Sequence, residues 1–98
     1  MLFLGLDLGT TNIKALVTDQ AGQRLAHAAA PVPLLHVGAG GVEQDIEAIC
    51  QATLAVLRDV ARAVDPAQIA AIGVSSQGGA MQVLDAQGRP LGRVISWL

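Results

Sequence analysis

Short apolar segments alternate with polar, glycine-containing turns along the first third of the chain. Leu2 to Leu8 is an apolar run typical of a buried strand. Asn12 to Thr18 contains Ile, Leu, Val and Thr and predicts a second strand, and Arg24 to Ala30 predicts a third. Between the last two, Asp19 and Gly22 suit a tight turn, because Asp bonds its own backbone and Gly tolerates positive φ. The pattern therefore predicts a three-stranded antiparallel meander.

A helical pattern follows a stretch that is rich in proline and glycine. Residues 31–41 contain Pro31, Pro33 and several glycines, and they predict a loop. Asp45 suits the N-cap of a helix, and Pro66 ends that helix after Val64 or Asp65. Helical spacing predicts an apolar face that consists of Ile46, Ile49, Cys50, Leu54, Leu57, Val60, Ala61 and Val64.

The remaining apolar segments complete a mixed sheet. Ile69 to Val74 is apolar nearly throughout, which is typical of a strand buried on both faces and parallel to its neighbour. A helix that precedes such a strand predicts a right-handed crossover that places it beside the first strand. Ala80 to Leu84 and Val94 to Leu98 predict two more strands, joined by a turn over Asp85 to Arg89. Since the chain stops inside the last predicted strand, we expect an incomplete domain.

Composition narrows the class of protein. The 98 residues are 52% hydrophobic and 14% charged, which predicts one well-buried domain. The formal net charge is −2 and no basic patch occurs, so nucleic acid is not an expected partner. No apolar stretch is long enough for a membrane span, and we expect no membrane partner. The single cysteine, Cys50, forms no internal disulfide; it indicates a cytoplasmic setting and is predicted to be a small core residue.

The segment Asp7-Leu8-Gly9-Thr10-Thr11 carries the candidate chemistry. Asp7 ends a strand, where its carboxylate can face a bound cation or its water shell. Gly9 permits a tight turn and close approach of a ligand, and Thr10 and Thr11 add hydroxyl groups beside backbone N–H groups to form an anion-binding concavity. Lys14, on the next strand, adds a point charge. The alternative interpretation is an ordinary glycine turn with a solvated aspartate.

The turn leads into a strand rather than a helix, so it is neither a Walker P-loop nor a Rossmann turn. A phosphate turn between two strands resembles that of the actin-like ATPases. Three further segments, Gly41-Val42-Glu43-Gln44-Asp45, Ile72-Gly73-Val74-Ser75-Ser76-Gln77 and Ile95-Ser96-Trp97, resemble the FGGY carbohydrate kinases, which include xylulokinase, glycerol kinase and gluconate kinase. The resemblance covers essentially the whole chain. It implies an α/β, ribonuclease H-like (actin-like ATPase) fold, of which residues 1–98 form the N-terminal part of the first lobe.

The resemblance implies a nucleotide side of the site. Asp7 is expected near the Mg²⁺ of Mg-ATP. Gly9, Thr10 and Thr11 are expected to contact the ATP phosphates, and Lys14 occupies a position that is often basic in the family. ATP and Mg²⁺ are thus the implied cofactors.

The resemblance also implies a substrate side. Gln77, Gly78 and Gly79 are expected along the sugar pocket, and Trp97 begins the family's Trp-x-Asp-x-Arg segment. Gly78-Gly79 replaces the larger polar pair of some members (Arg-Glu in glycerol kinases, Met-His in xylulokinases), which makes room for a bulkier polyol or leaves substrate contacts to other segments. Glu43-Gln44-Asp45 is expected to shape the start of the helix near the inter-lobe cleft, although capping alone also accounts for Asp45.

The implied reaction is ATP-dependent phosphorylation of a hydroxyl of a sugar or polyol. The catalytic aspartate of the family, a general base, is expected beyond residue 98, so no catalytic residue is assigned in this chain and the 98 residues alone are expected to be inactive. We also expect them to self-associate, because a cut sheet exposes apolar surface. The alternatives are an actin- or Hsp70-like nucleotide switch without a small-molecule substrate, and a non-catalytic module whose phosphate turn is vestigial.

Overall fold

Two four-stranded sheets and one long helix make up the computed structural model, which describes residues 1–98. The strands and the helix are β1 (Leu2–Leu8), β2 (Asn12–Thr18), β3 (Arg24–Pro31), β4 (Leu35–Val37), β5 (Gly41–Gln44), α1 (Ile46–Ala63), β6 (Ile69–Ser76), β7 (Met81–Leu84) and β8 (Pro90–Ile95). A short 3-10 turn over Pro66–Gln68 connects α1 to β6. The helix α1 does not combine the length and apolar character needed to cross a membrane.

The first sheet has the strand order β3-β2-β1-β6. Strand β2 is antiparallel to both β1 and β3, which confirms the predicted meander, and β6 lies parallel to β1. In this register Leu4 lies opposite Val17 on one side and Ile72 on the other. The chain between β3 and β6 runs from one edge of the sheet to the other and contains α1, so the predicted crossover helix is confirmed.

The core lies between α1 and one face of the first sheet. Alternate residues of β1 and β2 point to this face, as the period of two in a strand requires. The nine buried residues of this cluster are Leu4, Leu6, Ile13, Ala15, Val17, Val32, Ala52, Val56 and Val60. The helix begins after Asp45, whose carboxylate accepts a hydrogen bond from Glu47 N–H at 3.0 Å, so the predicted N-cap is confirmed.

The predicted apolar face of α1 is confirmed in part, since Val60 is buried and Ile49, Leu57 and Val64 pack against the core. Cys50 is exposed and is not a core residue, and Leu54 is exposed as well. The fully buried positions are Ala52, Val56 and Val60, spaced four residues apart. The helix is amphipathic, and its core-facing side is shifted toward Ala52 and Val56, which the sequence prediction left out. The packing of α1 on the sheet therefore decides which residues of this side are fully buried.

Strand β6 is not buried on both faces, contrary to the sequence prediction. Ile72 is 58% exposed and Val74 is 62% exposed, although both lie on the face of the sheet that carries the core. The cause is the position of β6 at the edge of the sheet, because α1 packs over β2 and β3. Its apolar side chains therefore have no layer above them.

The second sheet, with strand order β4-β5-β8-β7, contains segments that the sequence prediction misplaced. Strands β4 and β5 lie where a loop was predicted over residues 31–41 and just after it, since strands this short show no clear period. Strand β8 extends from Pro90 to Ile95 rather than from Val94 to Leu98. Its last pair with β5 is Glu43 and Ile95, and one further hydrogen bond, from Ser96 N–H to the Val42 carbonyl at 3.0 Å, follows this pair. The predicted turn after β7 is confirmed, and the Asp85 carboxylate accepts hydrogen bonds from the N–H groups of Gln87 and Arg89, each at 2.9 Å.

We expect the 98-residue chain to self-associate through the open edge of β6. Unpaired backbone groups and exposed apolar side chains on an edge strand favour pairing with a second chain. In analytical ultracentrifugation the sedimentation coefficient should rise with protein concentration, and the double variant Ile72→Thr, Val74→Thr should weaken this rise. Leu54→Thr, which removes an exposed apolar side chain from α1, is the matched control. A monomer at high concentration would contradict the prediction.

Candidate functional site

The connection between β1 and β2 is a turn of three residues, Gly9, Thr10 and Thr11. It joins two antiparallel strands whose last pair is Leu8 and Ile13. The Thr11 carbonyl accepts a hydrogen bond from Val32 N–H at 2.9 Å, which ties the turn to the chain that leaves β3. The sequence prediction of a strand–turn–strand arrangement is therefore confirmed.

Glycine is required at position 9 by a close backbone contact. A Cβ atom at Gly9 would lie 2.6 Å from the carbonyl oxygen of Asn12. That distance is far shorter than a normal contact between carbon and oxygen, so any side chain would force the turn open. The geometry explains why the turn can be this tight.

Asp7, Lys14 and Ser75 lie side by side at one end of the first sheet. Asp7 is paired in register with Lys14 across the antiparallel strand and with Ser75 across the parallel strand. All three side chains are exposed and project from the face opposite α1, because their neighbours Leu6 and Ile13 point into the core. They also line a broad concavity of about 680 Å³ on that face. Ser75 is a member of this group that sequence reasoning missed; its place directly after the apolar run from Ile69 to Val74 was the available signal.

The carboxylate of Asp7 and the ammonium group of Lys14 have no ionic partner within the chain. The two salt bridges lie elsewhere, Arg89 with Asp85 and Arg93 with Glu43. Because the two groups do not form an ion pair, the Asp7 carboxylate is available to a cation and the Lys14 ammonium group to an anion. No group of three or more His, Cys, Asp or Glu side chains is present to hold a metal ion by protein ligands alone. A single carboxylate fits Mg²⁺, which keeps several waters and takes few protein ligands.

A chain of hydrogen bonds connects the turn over Gly9, Thr10 and Thr11, which we call the phosphate turn after its predicted role, to the end of β6. The side-chain N–H of Gln44 donates to the Thr10 carbonyl at 2.8 Å, and Gln77 donates to the side-chain oxygen of Gln44 at 3.0 Å. Gln44 is 0% exposed. The Oε1 atom of Gln77 is buried and has no hydrogen-bond partner. We call this series, from Thr10 through Gln44 to Gln77, the amide relay.

The turn after β6 brings its glycines to Trp97. Gly79 has φ of +80°, a left-handed conformation that favours glycine, and a Cβ atom placed there would lie 3.2 Å from Cβ of Trp97. The indole of Trp97 is largely exposed. The segment that follows β6 thus lies beside Trp97.

A small cavity lies between the phosphate turn and this segment. Its volume is about 180 Å³, and its lining includes Gly9, Ile46, Gln77 and Met81. The cavity and the amide relay show that the two sets of residues predicted from the sequence, one for phosphate and one for substrate, are neighbours in the fold.

The three residues of the segment Glu43-Gln44-Asp45 make different contacts. Glu43 forms an ion pair with Arg93 at 3.6 Å, and Asp45 caps α1. Gln44 alone reaches the phosphate turn, a contact that sequence reasoning missed. The available signal was a polar side chain at an inward position of β5, but a strand had to be recognised there first.

Known proteins match almost the whole chain. Residues 2–98 match the model of the N-terminal domain of the FGGY family of carbohydrate kinases. The chain is 41% identical over 95 residues to a glycerol kinase of Gloeobacter violaceus, a match that covers 96% of this chain and 19% of that protein. It is 36% identical over 95 residues to a probable L-xylulose kinase of Haemophilus influenzae, with 95% of this chain and 20% of that protein covered.

Solved structures agree with these matches. The crystal structure of a gluconate kinase from Lactobacillus acidophilus superposes with a TM-score of 0.91 at 30% sequence identity, covering 98% of this chain and 19% of the other. A xylulose kinase from Rhodospirillum rubrum superposes with a TM-score of 0.92 at 26% identity, covering 98% and 20%. The predicted fold class is therefore confirmed. The chain spans about a fifth of the length of the relatives that it matches.

We expect Gly9→Ala to destabilise the chain, because its new methyl group would meet the Asn12 carbonyl. The expected loss is about 1–3 kcal/mol in the free energy of unfolding, the usual cost of overpacking. Gly5→Ala is the matched control, because Gly5 lies in β1, four residues before Gly9, and a Cβ atom there would have no neighbour within 4 Å. Urea denaturation followed by circular dichroism measures both. Equal stability of the two variants would contradict the steric argument.

Proposed function

The chain belongs to the FGGY family of carbohydrate kinases, and on that premise we propose that the intact protein transfers the γ-phosphoryl group of ATP to a hydroxyl of a sugar or polyol. The observation that carries the proposal is that Asp7 and Lys14 are exposed cross-strand neighbours beside the phosphate turn and form no salt bridge. At the end of this strand pair the Asp7 carboxylate suits the Mg²⁺ of Mg-ATP, and the Lys14 ammonium group suits its phosphates. Gln77, which the amide relay connects to the turn, and the two glycines that follow it suit an acceptor substrate.

On the nucleotide side, we assign each group by its chemistry. The backbone N–H groups and hydroxyls of Gly9, Thr10 and Thr11 would bind phosphate oxygens. Lys14 would neutralise charge on the transferred group, and Asp7 would hold Mg²⁺ through its water shell. When bound, Mg²⁺ neutralises charge on the phosphates. Phosphoryl transfer depends mostly on such positioning and charge neutralisation, so these residues supply the nucleotide half of the site.

On the substrate side, we propose that Gln77, Gly78, Gly79 and Trp97 form one wall of the sugar pocket. Support comes from the approach of Gly79 to Trp97 and from the unpartnered acceptor atom of Gln77. Because the two glycines carry no side chains, substrate contacts there come from the backbone or from other segments, and a substrate bulkier than glycerol has room. We place the reaction in the cytoplasm, where ATP is available and the exposed thiol of Cys50 stays reduced.

Substitution of the two charged residues tests the proposal. In the full-length protein, Asp7→Asn and Lys14→Met should each lower kcat/KM by about 100-fold, the usual cost of removing one charge-stabilising group from a reacting site. The measurement is ADP production with a panel of glycerol, xylulose and gluconate. Asp59→Asn and Arg62→Met, which change exposed charges on α1, are the controls and should keep wild-type rates. ATP turnover that is indifferent to every sugar would instead favour an actin- or Hsp70-like switch.

We also propose that the 98 residues alone do not catalyse the transfer. The lining of the small cavity beside Gln77 includes no Asp or Glu that could accept the proton of the attacking hydroxyl. The purified chain should therefore produce no ADP when the same sugars are added. Sugar-dependent ADP production by the chain would overturn this proposal, and the full-length protein serves as the positive control.

A further inference from the structure

We propose that Gln44 is a positioning residue that couples the phosphate turn to the substrate end of β6. Its side chain is the central member of the amide relay, with the Thr10 carbonyl on one side and Gln77 on the other. The assignment of the Thr10 end to the nucleotide and of the Gln77 end to the substrate rests on the proposed function. The coupling itself rests on the hydrogen bonds and on the complete burial of Gln44.

The orientation of every amide in the relay follows from its first member. A carbonyl oxygen only accepts hydrogen bonds, so Thr10 requires that Gln44 turn its NH₂ group toward the turn. The Oε1 atom of Gln44 then faces Gln77, which must donate its own NH₂ group. Consequently the Oε1 atom of Gln77 points away from the relay, where it is buried and unpartnered. Gln77 therefore keeps an unused hydrogen-bond acceptor at the far end of the relay.

The backbone and the side chain of Gln44 are both held in place, so a change at one end of the relay affects the other end. Its backbone lies in β5 and pairs with Val94 of β8, and the next residue, Asp45, caps α1. Since no water reaches the Gln44 side chain, a broken bond in the relay is not replaced by a bond to solvent. A hydrogen bond lost at one end therefore leaves a buried polar atom unsatisfied, and this cost favours rearrangement at the other end.

Gln77→Glu reverses the relay and so tests it. A carboxylate at position 77 only accepts, and a hydrogen bond from an amide to a carboxylate is stronger than one between two amides. The Gln44 amide should therefore turn over to donate to the introduced carboxylate, which leaves the Thr10 carbonyl without its donor. A change made on the substrate side is thus expected to weaken nucleotide binding.

The experiment is a double-mutant cycle in the full-length protein, with Mg-ADP as the probe and isothermal titration calorimetry as the measurement. Gln77→Glu should raise the Kd of Mg-ADP by about tenfold, the equivalent of one hydrogen bond. In the background of Gln44→Met, which lacks any donor, Gln77→Glu should cause no further change, because both substitutions break the same relay. Gln51→Glu, at an exposed position of α1, is the control and should leave the Kd unchanged.

A second measurement is independent of any ligand. The backbone N–H of Thr11 shares a peptide group with the Thr10 carbonyl, so Gln77→Glu should shift the Thr11 amide resonance in the free protein. An unchanged Kd together with an unchanged Thr11 resonance would overturn the relay, as would additive effects in the cycle. If Gln44→Met does not fold, Gln77→Glu alone decides by these two measurements. A wild-type protein that binds no Mg-ADP would overturn the proposed function instead, and the Thr11 resonance would then decide the relay.

Discussion

The burial of one face of the β1–β2 hairpin beneath α1 is the constraint on which the rest of the structure depends. Leu4 and Leu6 of β1 and Ile13 and Ala15 of β2 all point into this core. Because side chains alternate along a strand, a slip of one residue would move this whole set to the outside. The hydrophobic core therefore also sets the positions of the polar residues, and it places Asp7 and Lys14 together on the opposite face.

The two sheets meet at a polar contact. The backbone of Gln44 lies in the second sheet, where it pairs with Val94. Its side-chain amide donates a hydrogen bond to the Thr10 carbonyl, in the turn between β1 and β2 of the first sheet. Buried amides are costly unless both of their polar atoms are satisfied, and in Gln44 both are. Such a contact defines one relative position of its partners, whereas apolar contacts permit small displacements. The turn and the end of β6 are consequently held in a defined arrangement.

The errors of the sequence-based prediction have physical causes that differ from place to place. The face of α1 was predicted only in part, because helical spacing places Cys50 and Leu54 near the apolar side, whereas packing on the sheet buries Ala52 and Val56. Strand β6 has the composition of a buried strand, yet its burial depends on a neighbouring layer that α1 does not supply. The short strands β4 and β5 depend on pairing with each other and with β8 rather than on any local period.

Local order and chemistry were determined by the sequence itself. The strands of the meander, the N-cap Asp45 and the turn at Gly9 follow from hydrophobic period, capping and glycine sterics, which act over a few residues. The family resemblance also emerged from local motifs. Only the tertiary structure decided that Asp7 has Ser75 and Lys14 as neighbours, and that Gln44 contacts both Thr10 and Gln77. These contacts join residues that are distant in the chain, and sheet pairing and burial, which involve the whole fold, create them.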